Sequence, residues 1–403
     1  MKSYYEALEQ IKDEFKKIQK QTETVQLTES LSRVLAEDVF ADVDLPPFDN
    51  SAVDGYAVIF NKHSKKWEIT GEISAGNYQH LSLNNDSAVF IMTGSQIPAN
   101  CTAVIPIEDA AVDGGIIRLA AGAHYFDGMN IRKKSEYMQQ GQLAISKNVL
   151  ITPSHIMQLA ECGKSTVVVY KKLTAAILST GDELVDISER PEGDKIRATN
   201  IYTLEALLKK YGFNILYLGV VRDDEELITL KVQSALESKI DLLITTGGVS
   251  VGEYDLLKSI FEKLGVERKF WQTNIKPGKP IYFGTHQSKS NVKLIFGLAG
   301  NPVSSFVNFY AFIIAALESY YSVSFTQKIQ AKLFRPIVKK DGKRHFVRGV
   351  VSFNDDKKVY EVESIGSQSS GNISGLSKAN CLFILEEGKN NYAQGDYVEC
   401  IMM

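Results

Sequence analysis

The segment Asp241–Lys258, DLLITTGGVSVGEYDLLK, carries the residue types from which an anion site can be built. Leu242–Thr246 is a short apolar run ending in two threonines, the pattern of a buried parallel strand. Gly247, Gly248, Ser250 and Gly252 follow, and Leu256, Leu257, Ile260, Phe261 and Leu264 then recur at helical spacing from about Glu253. A strand, a glycine loop and a helix in succession present free backbone N–H groups and a helix N-terminus to negative charge. Two stretches repeat the plan. Ala176–Thr180 is stopped by Gly181-Asp182-Glu183, and Lys293–Leu298 by Ala299-Gly300-Asn301-Pro302 ahead of a long apolar helix. Three such loops at strand C-terminal ends are expected to line one crevice.

The central glycines nearly match the phosphate loop GxxxxGK, but Glu253 stands where the lysine belongs, and no GxGxxG occurs. Acids accompany the glycines instead: Glu183, Asp224, Glu253 and Asp255. A carboxylate beside a phosphate costs about 1 kcal/mol or more at short range unless a cation lies between. Mg²⁺ is held by a few hard oxygens with positions left for phosphate oxygens. The pattern points to a magnesium–pyrophosphate site. A tight turn would use the same glycines, and an acid at a helix start also serves the helix dipole; only the coincidence of three loops favours the site. In Asn274–Pro280, NIKPGKP, two prolines and a glycine hold Lys276 and Lys279 near one another, as a solvated turn or as a clamp on an anion.

Three loops of the first half are also rich in functional groups. Phe48–Tyr56 holds Asp49, Asn50, Ser51 and Asp54; Thr93-Gly94 follows a strand; Gly128–Glu136 carries Arg132, Lys133 and Lys134. Such clusters also make turns and solvated faces for purely local reasons.

These loops need elements to position them. At 403 residues the chain is too long for one core, so two to four domains are expected. Tyr4, Leu8, Ile11, Phe15 and Ile18 form one stripe on a helix of about 17 residues, and Val25–Val43 reads as a second short helix. Leu45-Pro46-Pro47 breaks regular structure. Short strands follow at Trp67–Thr70, Ala88–Met92, Ala103–Pro106 and Ile116–Leu119, and helix returns at Pro153–Cys162. A β-rich domain, 45–140, is thus inserted into a helical one, 1–44 with 141–171. Strands and helices alternate over 172–326, the pattern of a parallel sheet covered on both faces. Residues 327–403 read as a small β domain. Charge is −3 at pI about 6.1, which argues against a nucleic-acid partner. The four cysteines are dispersed with no CxxC, so zinc and disulfide frameworks are not expected, and a reducing cytoplasm fits. The charged N-terminus is no signal peptide, and Phe309–Leu317 is too short to span a bilayer, so no membrane partner is expected.

FDNSAVDGYA, TG at Thr93-Gly94, GMNIR, STGDEL, TTGGVSVGEYD, IKPGKP and GLAGNPVSSF, in this order, resemble the MoeA family of molybdenum-cofactor synthesis, related to the E domain of gephyrin. The resemblance covers essentially the whole chain. It implies an elongated homodimer of four domains per chain, with a MogA-like α/β third domain and a C-terminal β-barrel. It implies that adenylylated molybdopterin receives molybdate and releases AMP with Mg²⁺, in a cleft between two subunits. Carried over by motif, Asp54, Thr93, Arg132 and Glu136 come from the partner side of that cleft. Glu183, Asp224, Asp255, Lys276 and Lys279 come from the α/β side, with the first three as metal ligands. Thr180, Gly247, Gly248, Ser250, Gly252 and Pro302 would line the substrate, and Arg348 and Ser370 match the fourth-domain pattern. Two departures are visible: Tyr137 stands where the family commonly has an acid, and Ala299 replaces a proline. Adenylylation of molybdopterin by MgATP, and a non-enzymatic dimeric scaffold, are the competing readings.

Overall fold

The protein is described from a computed structural model that covers residues 1–76, 81–248, 256–288 and 291–403. Helix α1 (Tyr4–Phe15) opens on a capping box made by Ser3 and Glu6. It is shorter than the stripe predicts: after Phe15 the chain turns, and Ile18 is still buried. The second helix expected over Val25–Val43 does not form. Strand Thr22–Gln26 pairs antiparallel with Thr166–Tyr170, a 3₁₀ turn covers Leu27–Glu29, and Val39–Phe40 pairs with Leu143–Ile145. The partners are rich in β-branched residues, and Ser32 sits at φ 61°, which a helix cannot accommodate. The helical N-terminal domain is therefore mixed, with α2 (Pro153–Glu161) beside these small ladders.

Within residues 50–132 the chain builds a six-stranded sheet from strands between Gly55 and Leu119, plus a short ladder pairing Asn50–Ser51 with Ile131–Arg132.

The α/β unit has six strands: β1 (Thr174–Thr180), β2 (Asn214–Val221), β3 (Leu242–Thr246), β4 (Glu267–Trp271), β5 (Ile281–Gln287) and β6 (Val292–Leu298). Their order is β2-β1-β3-β6-β5-β4. The first four in that order run parallel, while β5 is antiparallel to β6 and β4 to β5. The parallel sheet expected thus carries an antiparallel pair of strands at one edge. Residues 288–291 separate β5 from β6, too few for the crossover that a parallel pair requires. Every residue of β3 and of β6 is buried. One face packs α1, α3 (Thr199–Lys210) and α6 (Pro302–Tyr321); the other packs α4 (Glu225–Glu237) and α5 (Leu256–Lys263). So α1 belongs to the α/β core. Helix α6 has the length and apolarity to cross a bilayer, with mean hydropathy 1.3, but 83% of it is buried inside the protein. It is the core helix that its position beneath the sheet requires.

The C-terminal strands close on themselves. Arg344–Asn354 pairs with both Val359–Ser364 and Cys381–Leu385, and Lys328–Leu333 with Tyr397–Met402 completes the barrel. The two-residue strand Ile275–Lys276 leaves the α/β unit to pair in parallel with Arg344–His345, and so ties the NIKPGKP loop to the barrel.

Candidate functional site

The three glycine-containing loops follow β1, β3 and β6, adjacent parallel strands, so they emerge side by side at one edge of the sheet. Their approach is close. A Cβ on Gly247 would lie 2.1 Å from the Thr180 carbonyl oxygen, and φ at Gly247 is +90°. A Cβ on Gly300 would lie 3.7 Å from the Gly247 Cα. Asn200 Nδ2, in α3, donates to the Gly300 carbonyl at 2.6 Å and fixes the third loop. Pro302 begins α6, whose cap is Asn301 accepting from the Ser304 N–H at 3.4 Å. Thr180 Oγ1 lies buried at the floor of the crevice and has no hydrogen-bond partner among the described residues. Gly248 lines the same wall; Ser250, Gly252 and Asp255 lie outside the described residues.

The acids sort differently from the sequence expectation. Asp224 caps α4, its Oδ1 accepting the Leu227 N–H at 2.9 Å. It is Asp223 that meets the first loop: its N–H donates to Asp182 Oδ1 at 3.2 Å. Desolvation, with repulsion from Asp182 and Glu183 adding to it, pushes the Asp223 carboxyl above the usual carboxylate range. The Glu183 carboxylate folds back over Gly181, where a Cβ would come within 2.6 Å of its Oε2. Asp182 and Asp223 are the residues that sequence reasoning missed. Asp223 stands one position before the cap, and the cap rule marks only its neighbour.

Among the described residues, no group of three or more metal-ligating side chains is arranged around one point. The donors present nevertheless fit magnesium. Among the described residues of the three loops they are hard carboxylate oxygens, with the buried Thr180 hydroxyl beside Gly247 left without a partner, and no sulfur or imidazole is present. Mg²⁺ is ordinarily held by one or two carboxylates, with phosphate oxygens and waters completing the shell.

Lys276 and Lys279 lie on the same edge, because Ile281 at the start of β5 stands opposite Leu298 at the end of β6. The loop packs on α6. Gly278 has φ +100°, and a Cβ there would sit 2.4 Å from Asn308 Oδ1. The Lys276 ammonium pairs with Asp341 of the barrel at 3.3 Å.

The first-half residues gather at one end of the inserted sheet. Asp54 Oδ1 accepts the Thr93 N–H at 2.6 Å and the Thr93 hydroxyl at 2.7 Å, which hold its carboxyl below the usual range. The Gly94 N–H donates to the Ser51 carbonyl at 2.8 Å, and Ser51 pairs with Ile131, beside Arg132. Glu136 Oε2 accepts the Lys133 N–H at 2.7 Å and closes the following turn, leaving Tyr137 exposed. Among the described residues, no hydrogen bond or ion pair joins 45–140 to 173–320 of the same chain, and the bonds of Asp54, Thr93 and Glu136 stay within the inserted unit.

In the barrel, Arg348 is buried. Its guanidinium donates to the carbonyls of Ser367 (2.9 Å), Ser369 (3.0 Å) and Asn372 (2.6 Å). All of these bonds go to main chain, and they shape the loop that carries half-buried Ser370, the other residue of the fourth-domain pattern.

Comparison with known proteins agrees with this architecture. Residues 2–163 match the MoeA N-terminal region (domain I and II), 176–319 a "probable molybdopterin binding domain", and 330–403 the MoeA C-terminal region (domain IV). A molybdopterin molybdenumtransferase of Haemophilus influenzae is 36% identical over 94% of this chain and 93% of its own. One of Bacillus subtilis is 33% identical over 96% and 90%. The crystal structure of a molybdopterin biosynthesis moeA protein from Pyrococcus horikoshii OT3 superposes with TM-score 0.82 at 28% identity, covering 100% of both chains.

Proposed function

The chain belongs to the MoeA family of molybdopterin molybdenumtransferases, and from that premise we propose that its substrates are adenylylated molybdopterin and molybdate, with AMP as the leaving product. The observation that carries this reading is the packing of Gly247 against Thr180 at the mouth of three adjacent parallel strands, with acids beside it. Bare main chain presents N–H groups to a pyrophosphate there, as strand–loop–helix sites do.

Glu183, with Asp182 and Asp223 beside it, would hold Mg²⁺; Asp255 joins them in this reading. The ion supplies positive charge against the pyrophosphate and the departing phosphate. Asp223 and Glu183 repel any unscreened phosphate, so they select the metal-bound form of the substrate. Lys276 and Lys279 attract molybdate and offset charge on the leaving AMP. Arg348 shapes the loop that carries Ser370, and the two would line the substrate from the barrel side. Asp54, held by Thr93, with Arg132 and Glu136, would complete the site from a second subunit. Among the described residues the inserted sheet makes no hydrogen bond or ion pair with its own α/β unit, an arrangement that fits a homodimeric site. The division into 1–44 with 141–171, 45–140, 172–326 and 327–403 belongs to the same reading. Among the described residues each sheet stays within one division except for the Ile275–Lys276 strand, which supports it, while α1 packs outside its own division, into the α/β core. A cytoplasmic site of action is proposed with it.

The test is incubation with adenylylated molybdopterin and Mg²⁺, with and without molybdate. Molybdate-dependent AMP release is expected. Accumulation of adenylylated molybdopterin from molybdopterin and ATP would instead make the chain an adenylyltransferase.

A further inference from the structure

Lys276 does not stand alone at the rim of the crevice. It lies directly opposite His345 in the parallel ladder between the α/β unit and the barrel. Between them sits Asp341, on the turn that precedes strand Arg344–Asn354. Each oxygen of Asp341 has its own partner: Oδ2 is 3.3 Å from Lys276 Nζ, and Oδ1 is 2.6 Å from His345 Nε2. Oδ1 also accepts the Lys343 N–H at 3.3 Å. The three side chains differ in exposure in the order that a relay requires. The Lys276 side chain is 57% exposed, Asp341 28% and His345 14%, so the chain of contacts runs from open crevice to barrel wall.

A lysine carries four rotatable side-chain bonds, and a solvated one samples them freely. An acid fixed on its other side by an imidazole takes that freedom away. We propose that Asp341 and His345 are positioning residues for Lys276, and that through them the barrel sets both the place and the net charge of the oxyanion-capturing loop. This rests on the reading that Lys276 attracts molybdate.

The charge state follows from the groups facing the imidazole, which are Asp341 on the turn, Lys276 across the ladder and Lys339 on the neighbouring strand Ile337–Val338 and its extension. Burial and the two lysines hold His345 neutral at neutral pH, against the pull of Asp341. In that state Nε2–H donates to Asp341, and Lys276 with Asp341 is a neutral pair. When His345 gains a proton, the same carboxylate faces two cations, and the cluster becomes positive by one charge. Anion affinity at the loop then rises as pH falls.

The experiment compares wild type, Asp341→Asn and His345→Gln. Asparagine keeps the shape and an acceptor but removes the charge; glutamine keeps a donor but cannot ionise. Asp341→Asn leaves the cluster positive by one charge at neutral pH, so it is expected to lower the KM for molybdate by up to about fivefold, the size of one partly exposed ion pair, and to lower kcat because the freed ammonium is no longer held in place. His345→Gln is expected to lose the strengthening of molybdate binding in acid, read as the change of KM between neutral and acid pH within each protein. In parallel, lysines are reductively methylated with ¹³C, which retains their charge, and the Lys276 resonance is assigned by its absence in Lys276→Arg. Its shift is expected to carry an inflection from His345 in wild type that vanishes in His345→Gln and changes in size and position in Asp341→Asn. A Lys276 resonance titrating identically in all three proteins overturns the proposal, as does an Asp341→Asn enzyme with unchanged KM. Absence of AMP release from wild type would count against the proposed reaction, while the resonance still decides the positioning.

Discussion

Gly247 and Thr180 approach so closely that a Cβ on the glycine would lie 2.1 Å from the threonine carbonyl oxygen. No side chain fits there, and φ of +90° is itself a conformation that L-residues avoid. The contact forces the loops after β1 and β3 to share one opening. Gly247→Ala is expected to lower stability by about 3 kcal/mol, through backbone clash and strain together. Denaturant unfolding measures the loss, and molybdate-dependent AMP release should fall to background even at temperatures where the variant stays folded.

Asp223 is held by a fold that does not favour its charge. Its folded pKa is raised, so the ionised form destabilises the fold above that pKa, and the penalty disappears as pH falls through it. Asp223→Asn should therefore raise the thermal midpoint at pH 7.5 without added metal, and should gain nothing at a pH where the wild-type acid is already protonated. Activity should fall at least tenfold, because the site loses a charge that favours the ion. Added Mg²⁺ should stabilise wild type more than the variant; equal stabilisation would remove Asp223 from the site.

Asp54 shows the opposite sign. Its folded pKa is depressed by the two bonds from Thr93, so the stability it contributes is present above the unfolded carboxylate pKa and is lost as pH falls through the folded value. Thr93→Val removes the hydroxyl and keeps the N–H. Carboxyl ¹³C titration should show the Asp54 pKa rising toward its ordinary value, with the fold intact. Activity should fall, since the carboxylate loses one of the two bonds that orient it.

Arg348 places one buried cation among three carbonyls. Lysine retains the charge but cannot reach all three. Arg348→Lys should lower stability by about 2–3 kcal/mol, the scale of lost hydrogen bonds to a charged group. Limited proteolysis should open the chain between residues 365 and 372 before any cut in the α/β unit. An Arg348→Lys enzyme that resists cleavage there would contradict the supporting role assigned to this side chain.

Much of this architecture could be read before any coordinates. The run into Gly247, the stops at Gly181 and Ala299, and Asn301-Pro302 at the head of α6 are local signals, and each marks an element end where the structure has one. What failed was non-local. Thr22–Gln26 is a strand only because Thr166–Tyr170 pairs with it, and local apolar spacing cannot announce that partner. The antiparallel edge formed by β4 and β5 escaped for the same reason, since a buried strand looks alike in either direction. Asp223 and Asp224 are adjacent acids, and neither residue type nor spacing says which of them a helix will take as its cap. The link from Lys276 to Asp341 and His345 crosses between two units and has no signature in either.

The central claim is that a metal-bound pyrophosphate sits where the loops after β1, β3 and β6 meet. Crystals soaked with AMP, molybdate and Mn²⁺ in place of Mg²⁺ test it directly through the anomalous signal of manganese. The account predicts a peak within bonding distance of the Glu183 carboxylate, with the AMP phosphate between it and the main chain at Gly247 and Gly248. A manganese peak confined to another face, with AMP bound away from these loops, would contradict it.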